Sequence, residues 1–235
     1  MPDAPVTQGE TEIVDQPVPA LLALTFASGL VDATSYIGLG GVFTANMTGN
    51  VLFLGFAVAG VEAFDVLGPV VALGAFLVGA VAGGRLAGRM MPPRRTWILT
   101  SMACEGGFVI AALVAAAALH ASDTGDARLV SIALLAAGMG IRNASVRRLG
   151  VKDLPTTILT LTITGLAADS RLGGGDAPRQ PRRAGAIAAM FVGAVIGALC
   201  VRVDLLLALG VTATVVVATG IGFAARSRPR PALAT

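Results

Sequence analysis

Charge is scarce in this chain. Only 13% of its 235 residues are Asp, Glu, Lys or Arg, where a soluble globular domain carries about a quarter. Hydrophobic residues make up 55%, and the mean hydropathy is +0.80. Too little polar surface exists to cover a water-exposed core. The same hydrophobicity excludes disorder over most of the length. Cysteine is nearly absent, and Cys104 and Cys200 both lie in apolar stretches, which excludes a disulfide framework or a zinc site. The single histidine, His120, argues against catalysis by a His cluster or a Ser/His pair. Metalloprotease, Walker and dinucleotide motifs are missing. The sequence therefore assigns no catalytic or metal-ligating residue and calls for no cofactor. The net charge of +3 does not point to nucleic acid, because the arginines flank apolar stretches with few aromatics between them.

What is there is a series of apolar runs. A membrane-spanning helix needs roughly 20 mostly apolar residues. Candidates fall at 20–39, 42–60, 66–88, 96–119, 128–147, 154–170, 184–201 and 204–225. The expected class is an all-α integral membrane protein, with one transmembrane domain over 18–225. An acidic, disordered tail (1–17) precedes it, and a basic tail (226–235) follows. Segments 42–60 and 154–170 are weak. The first opens with Thr44, Asn46, Thr48 and Asn50, so that no helical side suits lipid. The second carries Pro155 with Thr156, Thr157, Thr160, Thr162 and Thr164. Its 17 residues would reach only about 25 Å of a roughly 30 Å core.

The two halves resemble each other. Val78-Gly79-Ala80-Val81-Ala82-Gly83 recurs as Val192-Gly193-Ala194-Val195-Ile196-Gly197, 114 positions on. Gly29-Leu30-Val31-Asp32-Ala33-Thr34 resembles Gly140-Ile141-Arg142-Asn143-Ala144-Ser145 at 111, and Thr48-Gly49-Asn50 falls near Thr160-Leu161-Thr162 at 112. A duplication is expected, with repeats at about 20–119 and 128–225.

Basic residues set the orientation, because short cytoplasmic loops are enriched in Lys and Arg. If all eight segments span, seven arginines fall on the wrong side. If the weak segments are re-entrant, six helices span and both termini are cytoplasmic. Then 14 of the 17 basic residues sit inside. Each repeat then has an odd number of spans, so the repeats are inverted, a plan common in transporters. Seven or eight spanning helices are the alternative.

Asp32 lies near mid-depth in the first span, where an ionised Asp costs about 2.5–3.5 kcal/mol. It needs a partner, and the repeat puts Arg142 beside the equivalent position. Asn46, Thr48, Asn50, Asn143, Thr156, Thr157, Thr160 and Thr164 could line a polar passage; equally, they could bond helix carbonyls and cap breaks. Glu105 reads as a buried acid pairing locally, and Asp169 as a surface or capping residue. Gly79, Gly83, Gly193 and Gly197 form small-xxx-small pairs suited to close helix packing, as do Gly84 and Gly88. Tyr36 and Trp97 suit the membrane interface.

Gly29-Leu30-Val31-Asp32-Ala33 with Met47-Thr48-Gly49-Asn50 resembles the YoaK family, domain of unknown function 1275. So do Asn143-Ala144, Arg147-Arg148-Leu149, Asp153-Leu154-Pro155-Thr156-Thr157 and Leu166-Ala167-Ala168-Asp169. The likeness covers roughly residues 20–225. It implies a bacterial inner-membrane, multi-pass protein and no settled activity. Family members often carry Gln before the Asn-Ala pair, where this chain has Arg142, so a polar site there would differ in charge. The expected partners are the lipid bilayer and a small polar solute or ion, and a homo-oligomer is compatible. The leading expectation is a small-solute or ion transporter or channel. A non-transporting scaffold or regulator, and an intramembrane enzyme pairing Asp32 with Glu105, are the alternatives.

Overall fold

A computed structural model describes residues 18–90, 94–119, 125–148, 159–176 and 180–226. Among the described residues eight helices follow one another: α1 Val18–Gly38, α2 Met47–Val58, α3 Leu67–Met90, α4 Arg94–Ala118, α5 Gly125–Arg148, α6 Leu159–Ala168, α7 Gln180–Val203 and α8 Leu205–Arg226. A 3-10 turn, Arg171–Gly173, follows α6. No strand occurs among the described residues. Among the described residues six helices are long and apolar enough to cross a membrane, and α2 and α6 are not. Their 12 and 10 residues extend about 18 and 15 Å. These are the two polar, weak segments of the sequence.

Helix ends show where the chain goes. The C-terminal end of α1 lies against the start of α5, because a Cβ on Gly40 would meet the Arg128 guanidinium. Arg128 in turn pairs with Asp65, just ahead of α3, at 3.0 Å. The ends of α1, α3 and α5 that meet here therefore share one end of the bundle, and α2 leaves from and returns to that end. At the opposite end Leu21 of α1 packs with Ala186 of α7. Since α5 finishes and α7 starts at this end, α6 is likewise a return excursion. Helices α1 and α7 run parallel to each other, as do α3 and α5, and the two pairs are antiparallel.

The core sits where these pairs cross, with α4 packed on α5 and α8. Glycine makes the crossings close. A Cβ on Gly29 would lie 2.1 Å from the Met190 carbonyl oxygen, and one on Gly193 would lie 2.1 Å from that of Phe26. In the other pair, Gly140 meets the Phe76 oxygen at 2.2 Å and Gly79 meets that of Ala137 at 2.1 Å. Gly197 faces Leu30, and Gly83 faces Ile141, at 2.8 and 2.9 Å from their oxygens. Any side chain at these positions would push backbone against backbone. Gly84, by contrast, faces open space. The outward faces of α3 and α7 expose Leu77, Val78 and Val81, and Phe191, Val192 and Val195. Such apolar faces suit lipid.

Candidate functional site

Asp32 is buried on α1, 5% exposed. Its Oδ1 accepts hydrogen bonds from the backbone N–H groups of Ala45 at 2.7 Å and Thr44 at 3.2 Å. The Asn46 amide adds to this set. These residues form the bend entering α2, so the carboxylate sits at that helix's N-terminus, where the peptide dipoles favour an anion. The Asn50 side chain braces the same stretch, accepting from Phe43 N–H at 3.0 Å and donating to Phe43 O at 2.6 Å. Thr44 donates from its hydroxyl to Ser35 at 3.3 Å. The break ahead of α2 is thus tied into α1 by buried polar groups, as backbone at membrane depth requires.

One turn below Asp32 on the same face, Ser28 meets Arg142 of α5. Arg142 is 1% exposed. Its guanidinium donates to the Ser28 hydroxyl, to the Leu24 carbonyl at 3.2 Å and to Glu105 Oε1 of α4 at 2.8 Å. Two sequence expectations are corrected here. Arg142 makes its ion pair with Glu105, not with Asp32, whose hydrogen-bonding needs are met by the amides of 44–46; its charge still acts on Asp32 across space. Glu105 is fully buried and pairs 37 positions away in sequence, not locally. Helix period places neither contact, because both depend on how α1, α4 and α5 meet.

The other predicted residues scatter. Asn46 and Asn143 are half-buried, and Asn143 adjoins Arg142 in sequence; Thr48, Thr160 and Thr164 are exposed, and Thr162 is buried. Thr156, Thr157 and His120 lie outside the described residues. Trp97 is buried and Tyr36 is 40% exposed. Asp169 pairs with Arg183 at 2.7 Å. Among the described residues no three His, Cys, Asp or Glu side chains gather as a metal site requires.

A feature the sequence reading missed is an aromatic ladder at the end where α1 finishes. Tyr36 stacks on Phe43, Phe43 on Phe53, and Phe53 on Phe64, at centroid distances of 4.9, 5.6 and 5.3 Å. It pins the excursion of α2 against α1 and the approach to α3. The signal was present: four of nine phenylalanines fall within 43–64. Beside it, Asp65 caps α3, accepting from Leu67 and Gly68 N–H at 3.0 and 3.1 Å. The Leu67 amide, with Gly68 and the Arg128 charge, holds this carboxyl below the usual carboxylate range.

The comparisons with known proteins agree with a membrane-spanning chain. The chain is 29% identical over 150 residues to the UPF0700 transmembrane protein YoaK of Bacillus subtilis (strain 168), an alignment covering 64% of each. No solved structure matches. The family model described as "Protein of unknown function (DUF1275)" matches residues 20–222. With that match over most of its length, this multi-pass membrane protein belongs to the DUF1275 family.

Proposed function

We propose that the protein is a small-solute or ion transporter or channel of the bacterial inner membrane, with its polar site between two inverted repeats. The observation that carries the reading is the buried cluster of Asp32, Arg142 and Glu105 beside the break ahead of α2. Charged side chains inside a bilayer are costly and concentrate along substrate and ion paths. Broken helices whose N-termini face the midplane are how many transporters hold anionic groups; here that N-terminus faces Asp32. The duplication has support in the glycine crossings: Gly29 with Met190 and Gly140 with Phe76 match at offsets of 111 and 114. Gly193 with Phe26 and Gly79 with Ala137 match at the same offsets. The antiparallel course of α1 and α5 fits inversion. Among the described residues, Arg85, Arg89, Arg147, Arg148, Arg182 and Arg183 lie toward the end where α1 starts, which supports cytoplasmic termini. Asn46, Thr48, Asn50, Asn143, Thr156, Thr157, Thr160 and Thr164 are the remaining candidates for the passage.

A second reading, a non-transporting scaffold, is favoured by one observation. Both polar groups of Asn50 are spent on the Phe43 backbone, which is bracing and not solute binding. Uptake assays in proteoliposomes, run over panels of small polar solutes and monovalent ions, separate the two. Transport predicts uptake by wild type that Asp32→Asn abolishes. Uptake unaffected by Asp32→Asn, together with protection of cysteines at 32, 48 and 160 from aqueous thiol reagents, removes the passage.

A further inference from the structure

The charge count inside the membrane does not balance. Asp32, Glu105 and Arg142 are the only charged side chains in the apolar stretches 20–39, 47–58, 67–84, 96–118, 129–146, 159–168, 184–201 and 205–225. Two acids share one base. If both are ionised, the interior carries one net negative charge. Asp32 has its own compensation, the amides of 44–46 and the N-terminus of α2. Glu105 has less. Its Oε1 accepts from Arg142 at 2.8 Å, while its Oε2 is buried and has no partner among the described residues. An ionised carboxylate spreads its charge over both oxygens and needs donors at both. A carboxylic acid carries no net charge, so an Oε2 without donors costs less as an O–H group than as half of a carboxylate.

We propose that Glu105 is a proton-binding site, and that the proton it takes up on Oε2 is the coupling ion of transport. The proposal rests on the transport reading above. One aqueous proton adds to the Glu105 carboxylate, an O–H bond forms at Oε2, and the interior becomes neutral, with Arg142 balancing Asp32. Release reverses the step. The groups facing Glu105 are few. Arg142 is the charged residue on α5 at this level, and Asp32, on α1, acts on Arg142 only across space. Helix α8, also packed on α4, has no charged residue from Leu205 to Ala225, and Cys104 is the neighbour on α4 itself.

The test is pH-difference infrared spectroscopy of the purified protein in phosphatidylcholine vesicles, paired with a pH dye trapped inside. Wild type should show a protonated-carboxyl C=O band that titrates reversibly as a single proton. Glu105→Gln should abolish it, Asp32→Asn should retain it, and Glu105→Asp should keep a band with a shifted midpoint. Glu105→Asp also covers the case in which Glu105→Gln does not fold. A band indifferent to Glu105→Gln, or a midpoint indifferent to Glu105→Asp, overturns the assignment. Solute uptake without internal pH change overturns proton coupling and leaves transport standing. The titrating band without uptake of any solute keeps the proton site and removes the transport reading.

Discussion

Helices α2 and α6 occupy matching places in the two halves, yet they are fastened in opposite ways. The chain entering α2 is held deep in the bundle, by the Asp32 carboxylate on the amides of Thr44 and Ala45. Helix α6 is held at its other end and near the surface. Arg183, on α7, donates to the Gly165 carbonyl and to Asp169, and Gln180 donates to Leu166 O at 2.9 Å. An anion serves the helix N-terminus and a cation the C-terminus, each with the sign the peptide dipoles favour. Only the first fastening adjoins a buried ion pair, Glu105 with Arg142. The two halves thus share a scaffold of glycine crossings but divide the polar chemistry unequally. The core belongs to α1, α4 and α5, and the rim belongs to α6 and α7.

This contrast can be broken in graded steps. Arg142→Met strands Glu105 in the core and should cost about 3–5 kcal/mol, read by unfolding in mild detergent. Asp32→Ala leaves two buried amides without an acceptor and should cost about 2–3 kcal/mol; hydrogen exchange should quicken at 44–50 and not at 159–168. Equal quickening in both segments would erase the distinction between them. Gly193→Ala and Gly79→Ala should each cost about 2 kcal/mol, and by similar amounts, because the crossings match. Arg183→Gln should cost only about 1 kcal/mol, since Asp169 is half exposed, with faster exchange confined to the C-terminal turn of α6. Smallest is the Asp65 cap. Its carboxyl is held below the ordinary range when folded, so its contribution is complete above about pH 4 and fades as pH falls through the lowered folded value. Asp65→Asn should flatten that acid limb of a stability-against-pH curve, with its small loss of stability full at pH 7 and vanishing at low pH.

Much of this was legible in the residues, for physical reasons. Long apolar runs betray spanning helices, because lipid admits little else, and polar clustering at 44–50 marked the weak segment that became α2. The glycines at 79, 83, 193 and 197 were readable as packing positions, because only close backbone approach rewards so many. The partner of Arg142 was not readable. Glu105 and Asp32 are both acids on helices that touch α5 or lie beside it, and choosing between them takes the rotation of three helices. The aromatic ladder was hidden for a similar reason, because Tyr36 meets Phe53 only once the chain of 39–46 has folded back.

The central claim is that α2 and α6 are excursions from opposite faces of the membrane. It is tested most directly by single cysteines at Val61 and Gly174, in a chain with Cys104 and Cys200 replaced by Ala, labelled in sealed vesicles by a thiol reagent that does not cross lipid. Val61→Cys should label from the extracytoplasmic side alone and Gly174→Cys from the cytoplasmic side alone. Labelling of both from one face would contradict it.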